Sequence, residues 1–381
     1  MAASGIIFSN VHDEKLPELT DRRTIASVPY GCRYRFIDFV LSNMTNSNIN
    51  NISVITNNNY LSLMDHIGSG KDWDLARSNG GIKLLPPNVT PQAYGTRSPS
   101  VSRLESLKGV NYYIAGIPDE YVILADADVI CNIDLSEVLA AHIERDARMT
   151  IVAHRLSPGR AAASSGLIFH EGQSGFVSEL AVDPYESEAD CFESLGMLVM
   201  RTSTLRRVIA ESISHNYTSF TRDIIARTLR EHGEAGRIAL YHFDGYYAAI
   251  DSIEAYYRHS MDLITDARVR RALFAVKKRP ILTKVRNSPP TYYSPSSSVK
   301  NTLIADGCVI EGEVENSIIF RGVHVGRGCH IRNSIIMNNT VCGENVSLTS
   351  VISDKYATIR SDITLAGAET RPFYIPKNKI I

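Results

Sequence analysis

The chain is poor in most of the features that announce a function class. Its six cysteines, Cys32, Cys131, Cys191, Cys308, Cys329 and Cys342, never come closer than 13 positions. That spacing excludes a CxxC zinc or redox pair and predicts reduced, mostly buried thiols. Forty Lys and Arg stand against 41 Asp and Glu, a net charge of −1, with no basic run. The balance argues against nucleic acid or an anionic membrane as a partner. No apolar stretch reaches membrane-spanning length, and Gly5-Ile6-Ile7-Phe8 is too short for the core of a signal peptide. A cytoplasmic protein with a small-molecule or protein ligand is the expectation.

What is present, 381 residues with 44% hydrophobic and 21% charged, suffices for two domains with substantial cores. Up to about 266, apolar runs alternate with helical patterns. Segments 52–56 and 121–125 have the continuous apolar character of buried parallel strands, and 37–48 and 220–231 read as amphipathic helices. Strand-like stretches at 149–154, 166–170, 195–200 and 238–243 complete one mixed sheet, an α/β domain spanning 1–276.

The Pro- and Ser-rich passage 277–300 sustains neither helix nor central strand and reads as a linker. Over 301–381 the period changes. Val323, Cys329, Ile335 and Val341 step by six, as do Ile319, Val325, Ile331 and Met337, with Gly322, Gly326, Gly328 and Gly343 at turns. A six-residue apolar step interleaved with Gly, Asn and Ser predicts short parallel strands stacked as a β-helix. His324 and His330 on that solenoid have no accompanying acyl-transfer signature.

Segment 22–48, from Arg22-Arg-Thr-Ile-Ala to Asn-Ser-Asn48, resembles the start of glucose-1-phosphate adenylyltransferases (ADP-glucose pyrophosphorylases). His66-Ile-Gly-Ser-Gly70, Trp73-Asp-Leu75, Asp251-Ser-Ile-Glu-Ala-Tyr-Tyr257 and Arg371-Pro-Phe-Tyr374 continue the likeness. The resemblance implies a Rossmann-like, GT-A-like nucleotidyltransferase domain with a mixed sheet, followed by a left-handed parallel β-helix. It also implies a chemistry: glucose 1-phosphate attacks the α-phosphorus of ATP, pyrophosphate leaves, and Mg²⁺ is held by two carboxylates. Such a reaction needs cations and backbone N–H donors crowded around the triphosphate.

Against that pattern the chain departs repeatedly. The family's glycine-rich phosphate loop corresponds to Asn10-Val11-His12-Asp13-Glu14-Lys15, without glycine and with Asp13 and Glu14 opposed to a triphosphate. Ile25 stands at a phosphate-binding lysine and Asp183 at the sugar-phosphate lysine. The family's Gly-Thr-Ala-Asp helix start reads Ser102-Arg-Leu-Glu105. Asp128, in Asp126-Ala-Asp128, matches the first metal aspartate and reads as a relic, while the second position is Ala249. Each lost transition-state contact costs about 10² to 10³ in rate, so their joint loss predicts a negligible residual rate.

The pattern is similar to the noncatalytic, GlgD-type members of the family. It implies no cofactor or metal for this chain, Mg²⁺ in a catalytic partner subunit, and a mixed oligomer, a heterotetramer, making ADP-glucose for glycogen. It further implies a phosphorylated-metabolite effector between the domains, held by Arg22, Arg23, Arg33 and Arg35 on one side and Arg371 on the other, since arginine pairs bidentately with phosphate. The alternative is an active nucleotidyltransferase rebuilt around Asp128, Asp251 and Lys15. Trp73 is expected to pack near the former nucleotide pocket.

Overall fold

The computed structural model describes residues 2–77, 80–86, 102–156, 166–182 and 191–381. Its α/β domain is built on a nine-stranded mixed sheet. The apolar runs supply the centre: Ala3–Phe8 lies between Tyr121–Asp126 and Asn51–Ile55, parallel to both, and Gly81–Leu85 adds a further parallel strand outside Asn51–Ile55. Phe192–Arg201 runs antiparallel on the other side of Tyr121–Asp126. Leu167–Glu171 and Met149–Arg155 pair with it, and Ile238–His242 extends the sheet from Met149–Arg155. Central strands such as Ala3–Phe8 and Tyr121–Asp126 are buried along their whole length, as continuous rather than alternating hydrophobicity requires.

Helices cover both faces. Phe36–Asn46 buries all of its first nine residues, and Thr202–Ser214 packs through Leu205, Val208 and Ile209. The expected helix over 220–231 begins with a π-helical stretch, Phe220–Ala226, before Arg227–His232. Among the described residues no helix is long and apolar enough to cross a membrane.

The C-terminal part is a left-handed parallel β-helix with three five-stranded faces. Its first strand, Tyr292–Tyr293, pairs with Val309–Ile310, so the solenoid begins ahead of 301, inside the stretch expected to link the domains. The expected inward registers hold for Val323, Cys329, Ile335, Ile319, Val325, Ile331 and Met337, all buried. Val341 departs from them. His324 pairs with Val341, and Val341 with Thr358, so these coils advance by 17 residues, one short of three hexapeptides. A strand's faces alternate residue by residue, so that deficit turns Val341 outward, 40% exposed, and Cys342 inward. His324 and His330 also face outward, paired with Glu311 and Glu313.

The two parts share a core. Tyr30, Phe36, Phe39, Tyr256 and Leu263 cluster with Ile318, Phe320, Ile335, Met337 and Ile352 of the solenoid. Polar ties flank it: the Tyr257 hydroxyl donates to the Asn333 carbonyl at 2.6 Å, and the Tyr374 hydroxyl to that of Glu18 at 2.6 Å.

Candidate functional site

Two places gather charge: the C-terminal end of the central parallel strands, and the junction with the β-helix. At the first, Ala3–Phe8 and Tyr121–Asp126 end side by side, where ligands of open α/β sheets bind. Asp126 and Asp128 project there, both buried. Each already has a protein cation. His12 Nδ1 lies 2.5 Å from Asp128 Oδ2, and Arg103, the first residue of the helix Arg103–Gly109, forks onto Asp126, with Nε donating at 2.9 Å and Nη2 donating to the other oxygen. Gly196 makes room: a Cβ there would lie 2.7 Å from an Asp126 oxygen.

Burial alone would lower the His12 pKa, but the Asp128 charge and hydrogen bond, with Asp126 behind them, outweigh it and raise it. Burial likewise favours protonated Asp128, yet His12 and then Arg103 hold it below its ordinary value. Both shifts favour the charged form of the pair, an imidazolium facing a carboxylate.

The segment expected to be a degenerate phosphate loop folds upon itself. Asn10 Oδ1 accepts from Ser9 Oγ and the Asn57 N–H, while its Nδ2 donates to Asp13 at 2.6 Å. Asp13 also accepts from the Ile25 N–H at 2.7 Å, so its carboxyl serves the chain's own backbone rather than facing a ligand. Burial pushes its pKa up to about 7 against these two bonds. Val11 joins the core, Glu14 is exposed and Ile25 is buried. Between Phe8, Asn10, Val11, Thr56 and Ser106 there is no room for a water molecule.

Ala249 is buried, opposite Val129 on the short strand that follows Asp128. Asp251 does not take its place: it accepts from Ser252 Oγ, and the only group of three metal-capable side chains among the described residues is His12, Asp126 and Asp128. Lys15 sits in the adjoining turn, outside that group. Asp183 lies outside the described residues.

The cluster does not fit Mg²⁺. That ion takes oxygen ligands in octahedral geometry, and here Asp126 is occupied by a guanidinium, Asp128 by an imidazolium, and the second family carboxylate is an alanine. Asp128 Oδ1, buried without a protein partner, is the one atom a cation would satisfy. Sequence reasoning singled out Asp128 but missed His12 and Arg103 as its neutralising shell. The signal lay in Ser102, whose hydroxyl accepts from the Glu105 N–H and so starts the helix that aims Arg103.

The second place is a cavity of about 270 Å³ between the domains. Arg33 and Arg35 reach it from the α/β domain, Arg286 from the crossing segment, and Arg321 and Lys355 from the β-helix, and no carboxylate lines it. Arg321 is paired with Asp306 and His66 with Asp38, at 2.6 Å. Among the described residues no carboxylate pairs with Arg33, Arg35, Arg286 or Lys355; Arg35 donates to the Ser62 carbonyl and hydroxyl, and Arg33 lies over the Tyr34 ring. Burial and then the neighbouring Arg286 and Arg23 lower the Arg35 pKa to about 10 against the pull of Asp38, which leaves it charged at neutral pH.

Of the five arginines expected at an effector site, the structure brings Arg33 and Arg35 here. Arg23 is instead buried against both oxygens of Asp354, at 2.6 and 2.7 Å, and with Arg22 and Asp354 it lines a second cavity. Arg371 is exposed, its backbone closing a turn with Ala368, and lines neither. Trp73 is buried, edge-on to His66, which lines this cavity. Arg286, Arg321 and Lys355 escaped sequence reasoning because they lie far along the chain from Arg35.

Comparison with known proteins agrees with this fold. The family described as Nucleotidyl transferase matches residues 5–265, and that described as GlmU-like, C-terminal hexapeptide matches 292–371. The chain is 34% identical to the "Glycogen biosynthesis protein GlgD" of Bacillus subtilis over 99% of its own length and 96% of that protein's. It is 36% identical to a protein of that name from Geobacillus stearothermophilus, over 85% and 81%. With the "Glucose-1-phosphate adenylyltransferase" of Acetivibrio thermocellus it shares 29% identity over 97% and 84%.

Proposed function

This chain belongs to the GlgD-like, glucose-1-phosphate adenylyltransferase branch of the nucleotidyl transferase family, and from that premise we propose that it is a noncatalytic, regulatory subunit. It pairs with a catalytic adenylyltransferase subunit that makes ADP-glucose from ATP and glucose 1-phosphate for glycogen. The observation that carries this reading is the pairing of Asp126 with Arg103 and of Asp128 with His12. Where a catalytic member needs free carboxylates for a metal, this chain keeps its own cations, and the folded loop at Asn10–Lys15 leaves no cradle for phosphates.

Regulation needs a ligand-responsive element, and the domain-junction cavity supplies the chemistry. Cations from both domains around a carboxylate-free space suit a phosphorylated metabolite. Because those cations come from the α/β domain, the crossing segment and the β-helix, an anion among them would bias how the domains meet, and through an oligomer contact would bias the partner.

The test is to mix the chain with a catalytic glucose-1-phosphate adenylyltransferase from the same cell. Co-elution as one complex, with a changed response of the catalytic subunit to sugar phosphates, is expected. Independent elution with unchanged kinetics at micromolar concentrations would overturn the pairing.

A further inference from the structure

We propose that binding of an anion in the domain-junction cavity is accompanied by uptake of a proton at Lys355 Nζ. The inference rests on the reading of that cavity as an anion site and adds the protonation change that goes with occupancy.

Lys355 is half-buried among like charges. Arg35, from the start of the α/β domain, acts on it most strongly, and Arg33, Arg286 of the crossing segment and Arg321 of the neighbouring coil line the same cavity. Arg23 and Lys377 line the second cavity and are near enough to act on it. The neutral groups around it, Cys32, Tyr34 and Tyr356, carry no compensating charge.

Asp354, the carboxylate that acts on Lys355, is already engaged. Asp354 accepts from Arg23 with both oxygens, while one of them also accepts the Lys355 backbone N–H at 2.6 Å and the other the Tyr374 hydroxyl. Asp38 is likewise taken, by His66 and the Arg35 N–H. Asp306 is held by Arg321.

A cluster of that kind relieves its repulsion where a proton is easiest to lose. Guanidinium groups keep theirs, whereas an ammonium group yields when desolvated. Burial first, then Arg35 and Arg23, hold the Lys355 pKa well below the ordinary lysine range, with Asp354 opposing them. His66 is the other candidate proton acceptor. Burial, with Arg35 and Lys355, also holds it below its ordinary value despite Asp38, and an ordinary value of 6.5 keeps it out of the alkaline range.

A dianion among these groups offsets most of the positive charge around Lys355 and favours the ammonium form, which then donates to it. Between the lowered value and the ordinary 10.5, each anion bound brings up to about one proton, and the apparent Kd rises by about tenfold per pH unit.

The experiment is isothermal titration of the full chain with sulfate, which has no proton to exchange at alkaline pH. It is run at about pH 8.5 in buffers that differ in ionisation enthalpy. The binding heat is expected to vary with buffer, corresponding to uptake of up to about one proton per sulfate. Lys355→Arg, which keeps the charge and cannot give up its proton, should bind sulfate with a buffer-independent heat. His66→Gln should retain the buffer dependence.

Binding with no buffer dependence in the wild type overturns the proton linkage and leaves the anion site standing. Loss of the dependence in His66→Gln but not in Lys355→Arg overturns the assignment to Lys355. Absence of binding by sulfate, inorganic phosphate and glucose 1-phosphate alike overturns the reading of the cavity itself.

Discussion

At the scale of single residues, His12 and Asp13 are neighbours with opposite roles. His12 neutralises a buried carboxylate, and its truncation leaves Asp128 without its nearest counter-charge, a loss of up to about 3–5 kcal/mol for a buried pair. His12→Ala should therefore lower thermal stability sharply without creating activity. The sign of the pH dependence follows from the two shifts. The raised imidazole contributes fully below its ordinary 6.5 and loses its contribution as pH rises through its folded value. The lowered carboxylate contributes above its ordinary 3.8 and is lost as pH falls through its folded value. The stability difference between wild type and His12→Ala should peak between those limits, and melting curves across pH measure it.

Asp13 behaves oppositely. Its pKa, raised from 3.8 to about 7, means that the folded chain holds a proton the unfolded chain has released, so its contribution declines as pH rises through that interval. Asp13→Asn should gain melting temperature relative to wild type between about pH 4 and pH 7; a pH-independent difference would contradict the buried, protonated carboxyl.

At the scale of elements, the sequence exposes what repeats and hides what does not. Continuous apolar runs at 52–56 and 121–125 marked parallel strands because burial on both faces leaves no polar alternation. The six-residue step marked the β-helix because each coil places one inward residue at that interval. The coil length stayed hidden, since a deficit of one residue in the 17-residue coils leaves most of the six-fold positions apolar. Ile331 and Val341 make the distinction measurable. Ile331→Ala opens a cavity in the stack and should cost about 2–5 kcal/mol. Val341→Ala, on the outer face, should stay within about 0.5 kcal/mol in chemical denaturation.

The candidate site divides along the same line. Asp128 was legible because a carboxylate at the end of an apolar strand has a known place in α/β sheets. Arg103 was not, because one arginine at a helix start carries no periodic signal. Arg33 and Arg35 were legible within one segment, but their partners Arg286, Arg321 and Lys355 meet them only through the packing of the two domains.

At the scale of the whole molecule, the two domains share one apolar core and the buried Arg23–Asp354 bond, at 2.6 Å. Arg23→Ala leaves Asp354 buried and unpaired, a cost of about 3–5 kcal/mol placed at the junction. Scanning calorimetry is expected to resolve its single transition into two, the α/β domain melting apart from the β-helix. A single transition shifted as a whole would show that the apolar core alone couples the domains.

The central claim is that this chain retains the scaffold of a nucleotidyltransferase while its own side chains occupy the reaction centre. Pyrophosphate release by the isolated chain, with saturating Mg²⁺, ATP and glucose 1-phosphate, tests it most directly. The account predicts no release above the enzyme-free rate, whereas turnover approaching that of a catalytic family member would contradict it.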